Sequence, residues 1–121
     1  MNKPSKLFTI CPVLSTSDLE RDIKWYNENV GFNLHYQEEG YAVLNRDSIY
    51  IHLQWHHNNE VDPVQGSVIK IFVDNIHPIF QEMMIRGIVT KNKLCLNTSW
   101  KTHEFGFFDL NKNALFFVQD V

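Results

Sequence analysis

One supersecondary unit is spelled twice along this chain, and that internal repeat narrows the possible folds more than any single residue does. The first copy runs from the apolar stretch Phe8–Leu14 through Ser15-Thr16-Ser17-Asp18-Leu19 into an amphipathic helix ending at Gly31-Phe32. Short alternating segments follow, at Tyr41–Leu44 and Ile49–Leu53. The second copy repeats the order: Val68–Val73, then Asp74-Asn75-Ile76, a helix, Gly87-Ile88, and the closing segments Glu104–Phe108 and Ala114–Val118. A strand–helix–strand–strand–strand unit used twice predicts an α+β domain, with two βαβββ modules whose half-barrels share one curved groove. Module one covers about residues 6–56 and module two about 66–121 of a single domain spanning 1–121.

The helices are marked by their ends. Ser17 followed by Glu20 has the spacing of a capping box, in which each side chain satisfies a backbone N–H that the first turn leaves free. Leu19, Ile23, Tyr26 and Val30 recur at helical spacing and form one apolar face. Gly31 then stops the helix, because it adopts the left-handed conformation without a Cβ clash. In the second copy Asp74 or Asn75 caps, and Pro78 sits in the first turn, where its missing N–H costs nothing. Ile76, Ile79, Phe80 and Met83 make the buried stripe, and Gly87 ends it.

The strands alternate. Tyr50, His52 and Gln54 share one face, with Ile49, Ile51 and Leu53 on the other. The apolar face belongs under the helices, and the polar and aromatic face toward the groove. Asn45-Arg46-Asp47 and Asp109–Asn113 read as hairpin turns, since these residues tolerate positive φ or bond locally to backbone. His56–Gln65 is the linker between the units, placed where it could also act as a loop over the groove.

Composition excludes several function classes. A net charge of −3 offers no basic stripe for nucleic acid. No apolar run approaches the ~20 residues that span a bilayer, so no membrane partner is expected. Two distant cysteines, Cys11 and Cys95, form neither a disulfide framework nor a Cys-x-x-Cys pair. With no signal-type segment after Met1–Lys6, a cytoplasmic location is expected. No Gly-rich phosphate loop, nucleophile elbow or zincin motif is present.

Taken in order, several stretches resemble the vicinal oxygen chelate superfamily, which includes glyoxalase I, extradiol dioxygenases and the bleomycin-resistance proteins. Cys11–Leu19 is similar to the bleomycin-resistance branch's opening Pro-Val-Leu strand and its Asp-hydrophobic helix start. Trp25-Tyr26 followed by Val30-Gly31-Phe32 resembles its aromatic pair and Leu-Gly-Phe. Glu38-Glu39-Gly40-Tyr41-Ala42 with Asn45-Arg46-Asp47 resembles its acidic-aromatic hairpin and Arg-Asp turn. Trp100–Phe105 is similar to its Trp-Gly-x-Arg-Glu-Phe segment, with Lys101 and His103 in place of Gly and Arg. Asp109 and Asn113, then Phe116-Phe117-Val118, resemble its final hairpin and strand, with Leu110 and Lys112 in place of Pro and Gly.

The resemblance implies positions for a divalent metal at Cys11, His52, Val68 and Phe116. Two of these cannot ligate, and a first-row metal needs about three protein ligands, so neither metal nor cofactor is expected and no catalytic residue is assigned. His56-His57 does not restore a site, because adjacent residues of extended chain point opposite ways. A metal-free acid–base pair of His52 with Glu104 or Cys11 would need reach and a tuned pKa.

What the resemblance leaves is an aromatic groove. Tyr41, Tyr50, His52, Trp55, Trp100, Phe108 and Phe116 are its candidate walls, with Trp100 foremost, and Glu38, Glu39 and Glu104 its candidate carboxylates. The implied function is non-catalytic sequestration of a bleomycin-type glycopeptide antibiotic or a similar aromatic cationic small molecule. The alternative is a metal-dependent lyase or dioxygenase of the same superfamily. A homodimer is expected because unpaired sheet edges demand cover. The resemblance further implies that the N-terminal strand, residues about 6–12, swaps onto the partner with Pro12 near the hinge.

Overall fold

A computed structural model describes residues 3–121. The first sheet holds β1 (Val13–Thr16), β2 (Asn33–Glu38), β3 (Tyr41–Arg46) and β4 (Ile49–Trp55) in the order β1-β4-β3-β2, with β1 parallel to β4 and the other pairs antiparallel. The second holds β5 (Val68–Phe72), β6 (Thr102–Phe108) and β7 (Ala114–Asp120) in the order β5-β7-β6. The α1 helix (Leu19–Val30) packs on the first sheet and α2 (Ile76–Ile85) on the second. This is the α+β arrangement of two related units that the repeat predicts.

Two expectations need correction. Among the described residues the second unit has three strands where the first has four. The missing strand is reduced to a single bridge between Cys95 and Glu104, after a 3₁₀ turn at Lys91–Lys93. Polar Lys91-Asn92-Lys93 and the left-handed Asn97 (φ 53°) break the extended run before a ladder can form. The helix α1 is capped by Asp18, not Ser17: the Asp18 carboxylate accepts from the Arg21 N–H at 3.1 Å, so Glu20 has no box to close. The C-terminal reading holds, with Gly31 left-handed at φ 73°. In α2, Asn75 is the cap. Residues 3–12 form no strand in the single chain, and Leu7, Phe8 and Ile10 stand almost wholly exposed.

Alternation sorts each strand. Leu14, Ala42, Leu44, Ile51 and Leu53 face α1, and Ile71, Phe105, Leu115 and Phe117 face α2, all in one apolar core with Tyr26, Val30, Phe32, Ile76, Phe80 and Met83. The core alone does not join the units. Tyr26 of α1, fully buried, donates its hydroxyl to Asp109 in the β6–β7 turn at 2.6 Å. Asp109 also accepts from the Asn113 side chain at 2.8 Å and from the Asn111 and Asn113 backbone N–H groups at 2.8 and 2.9 Å. Asn113 in turn accepts from the Ser67 N–H at 2.8 Å, at the head of β5. Beside it, buried Asp22 accepts from Asn111 at 2.6 Å, from Arg21 at 2.9 Å and from the Thr16 hydroxyl. The turn read as a local hairpin is thus a polar clamp across the two units, and burial and the Asp109 charge push the Tyr26 phenol far above its ordinary value.

A second link is the bidentate pair of Arg46 with Glu82, both bonds 2.7 Å, with Arg86 on the same carboxylate at 2.8 Å.

Replacing Tyr26 with Phe should lower the unfolding free energy by about 1.5–3 kcal/mol, the range for a hydrogen bond to a charged group, measured as a lower urea midpoint at unchanged slope. The pH dependence of the second link is set by Glu82, whose carboxyl is held below its ordinary value of 4.5 chiefly by its hydrogen bonds to Arg46. Its stabilising contribution is complete above that value and fades as pH falls through the lowered folded value. Urea titrations between pH 3 and 7, taken here as a working range about that carboxyl value, should show a shallower acid limb for Glu82→Gln than for the native chain.

Candidate functional site

Each sheet turns one face to its helix and leaves the other open. On the first sheet the register places Val13, Val43 and His52 in one row and Asn45 beside Tyr50 on the open face. The Tyr41 hydroxyl lies 2.6 Å from His52 Nδ1, and the two rings meet edge to face at 5.4 Å. Burial first, then the neighbouring Cys11 and Glu38, push the Tyr41 phenol above its ordinary value, so it stays protonated near neutrality. Tyr50 is half-exposed and meets His35 edge to face.

On the second sheet the open face carries the rows Phe72–Val118–Glu104, Lys70–Phe116–Gly106 and Val68–Ala114–Phe108. The Phe116 ring lies against Gly106, where a Cβ would come within 2.6 Å of it, so this crossing requires glycine. Trp100 stands in the loop before β6, as the Asn97-Thr98-Ser99 run predicts, and is 62% exposed. Its indole N–H donates to Glu104 at 3.1 Å, and the Thr102 hydroxyl donates to the same oxygen at 2.8 Å. Glu104 is buried. Its Oε2 is therefore the atom that holds the indole. Phe108, exposed, closes the other end of this face.

Of the remaining candidates, Trp55 lies off the open face, whereas Glu38 pairs with Tyr41 at its edge, next to Glu39 in the turn. Trp55 has the parity of Ile51 and Leu53, not of His52, and its indole N–H donates to the Ser17 carbonyl at 3.1 Å beside the start of α1. Glu38 and Glu39 sit exposed at the β2–β3 turn, and Glu38 accepts from the Tyr36 hydroxyl at 2.9 Å. Among the described residues, no hydrogen bond or ring contact joins the Tyr41–His52 pair to the Trp100–Glu104 pair within one chain.

The donor set at the implied metal positions does not suit a metal. Val68 and Phe116 offer no donor, His52 Nδ1 is engaged by Tyr41, and burial pushes the Cys11 thiol up, toward the form that does not ligate. Among the described residues no three His, Cys, Asp or Glu side chains gather as a metal site. His56 and His57 do converge, contrary to the parity argument: both Nδ1 atoms reach Asp62, at 2.5 and 2.9 Å, because the chain turns back through Asn58 at φ 63°. Both rings thus close a loop on one carboxylate.

Sequence reasoning passed over two residues. Thr102 anchors Glu104, and only the fold reveals it. Lys70 was visible as the one charged residue in the apolar run Val68–Phe72, and it lines a cavity between the units together with His52, Cys11 and Tyr50.

Replacing Glu104 with Leu should free the indole, so that the Trp100 Nε1–H exchanges faster with water in NMR spectra; unchanged exchange would separate Trp100 from Glu104.

No family model matches the chain. The bleomycin resistance protein of Geobacillus stearothermophilus is 26% identical over 125 residues, covering 91% of this chain and 95% of that relative. A glyoxalase/bleomycin resistance protein/dioxygenase from Nocardioides superposes with a TM-score of 0.76 at 15% identity, over 98% of this chain and 87% of that one. A bleomycin-binding protein complexed with bleomycin superposes with a TM-score of 0.75 at 15% identity, over 95% and 100%. Shared sequence along most of its length and the same paired units in space lead to one conclusion: the chain is similar to the bleomycin resistance protein and has the fold of the glyoxalase/bleomycin resistance protein/dioxygenase structures.

Proposed function

We propose that this protein binds, without chemical change, a bleomycin-type glycopeptide antibiotic or a similar aromatic cationic small molecule, and protects a cytoplasm by sequestering it. The observation that carries the reading is Trp100: an indole 62% exposed yet fixed through its N–H to a buried carboxylate. An exposed apolar ring normally moves freely. One held by a charge-assisted bond is pre-organised, which removes part of the ordering cost that binding must otherwise meet. A flat, electron-rich face next to a buried negative charge suits a planar group bearing positive charge.

The curated relative bears the name bleomycin resistance protein, and one solved neighbour is a bleomycin complex, which supports the same class of ligand. Sequestration needs no general base and no metal, in keeping with a groove whose His52 and Cys11 have other partners. The chain works as a homodimer in this reading. Residues 6–12, with Leu7, Phe8 and Ile10 unburied in the single chain, supply apolar surface for a partner, and the open faces of two chains complete each groove.

Titration with bleomycin should raise the melting temperature, since a ligand at a hundredfold excess over Kd stabilises the folded state by about 2.7 kcal/mol. No shift with bleomycin, phleomycin or tallysomycin would remove this ligand class. Trp100→Ala should weaken the binding by at least ~1 kcal/mol, the low end for an aromatic anchor, as read by calorimetric titration.

A further inference from the structure

The cavity between the two units has the opposite electrostatic character from the Trp100 platform. It measures about 560 Å³ and is walled by the approach to β1, the first half of β4 and β5. Its apolar walls are Ile49, Ile69 and Phe72. No carboxylate lines it, although the chain carries 14 acidic residues. The charged side chain on its wall is Lys70, which makes no ion pair among the described residues. A second polar group joins it: His52, whose Nδ1 lies 2.6 Å from the Tyr41 hydroxyl and whose Nε2 carries the N–H when that hydroxyl donates. The neighbouring cavity beyond β5 differs in this respect, since its Arg46 is neutralised by Glu82 and it also carries Asp47 and Asp74.

We infer that this cavity is an anion subsite: it takes the carboxylate, sulfonate or phosphate group of a small molecule whose apolar or aromatic body lies against Ile69 and Phe72, with Lys70 and His52 as the recognising groups. The chemistry follows from what the walls offer. A cationic group there would meet an ammonium and no counter-charge, whereas an anion would gain a charge-assisted bond from an ammonium that has no internal partner to give up. The size suits a small ligand and the lining is mostly apolar with a few donors, as small-molecule sites usually are.

The subsite is separate from the platform. Lys70 and Glu104 share the open face of the second sheet, two strands and two residues apart, a separation of roughly 12 Å from strand geometry. The inference therefore does not depend on the antibiotic reading, and each can fail alone. Were both to hold, the preferred ligand would be amphoteric, with its charges about that far apart.

The test uses two probes with one ring and opposite charge, 2-naphthoate and 2-naphthylmethylammonium, titrated into the full chain by calorimetry and by backbone amide NMR. Naphthoate should bind more tightly than the ammonium by about tenfold, the scale of one charge-assisted contact. It should shift the amides of residues 48–52 and 69–72. Lys70→Met should weaken naphthoate by a similar factor, Lys70→Arg should largely restore it, and Trp100→Ala should leave it unchanged. Lys70 is exposed, and circular dichroism checks that its variants keep the fold. Equal or tighter binding of the ammonium overturns the inference. So does naphthoate affinity that survives Lys70→Met, or loss with Trp100→Ala instead, or no saturable naphthoate binding at all.

Discussion

The arrangement of the two units rests on one buried carboxylate. Asp109 sits in a turn of the second unit and accepts hydrogen bonds from Tyr26 of the first, from Asn113, and from two backbone N–H groups of its own turn. A carboxylate removed from water is costly unless its oxygens are fully bonded, and here both are. The chain of bonds runs on through Asn113 to the head of β5 and, beside it, through Asn111 to Asp22, Arg21 and Thr16. Directional bonds at fixed positions specify one relative placement of the units, which apolar contact alone leaves loosely determined. Both open faces inherit their positions from that placement.

The same economy recurs at Trp100. A buried acid, Glu104, has its donors supplied by Thr102 and by the indole N–H, so an exposed ring is held without being buried. The carboxylate that sequence reading offered as a wall charge also positions the indole. Its burial is the reason: one oxygen, Oε2, lies beneath the indole and accepts from both donors. On the other sheet Tyr41 plays a like part for His52. In both cases a side chain of an open face is fixed by a nearby one, from the adjacent strand for His52 and from the following strand for Trp100, which matches the requirement that binding groups be held before the ligand arrives.

Local features were well marked in the residues. Gly31 ended a helix because a left-handed position needed no Cβ, and the alternation of β4 separated His52 from Ile51 and Leu53 as written. The failures share a physical origin. Asp18 displaced Ser17 as cap because only the actual helix start decides which oxygen faces the free N–H groups. His56 and His57 converged on Asp62 because Asn58 turned the chain back, which parity in an extended segment cannot foresee. Trp55 left the groove face because it follows Leu53 in alternation, a point legible in the sequence.

By itself the amino-acid sequence determined the repeat, the number of α-helices and the glycine stop of the first, the inward and outward faces of the strands, and the loss of donors at Val68 and Phe116. All of these depend on neighbours within a few residues, where spacing and backbone preference act directly. Only the tertiary structure decided what lies between the units: the clamp at Asp109, the pairing of Trp100 with Glu104, and the cavity that sets Lys70 beside His52. Those contacts, apart from the local Trp100 pair, join residues as far apart as Tyr26 and Asp109, 83 positions along the chain. Whether a polar side chain there is a ligand, a prop or a buried partner depends on distances of a few ångströms, which only the folded chain establishes.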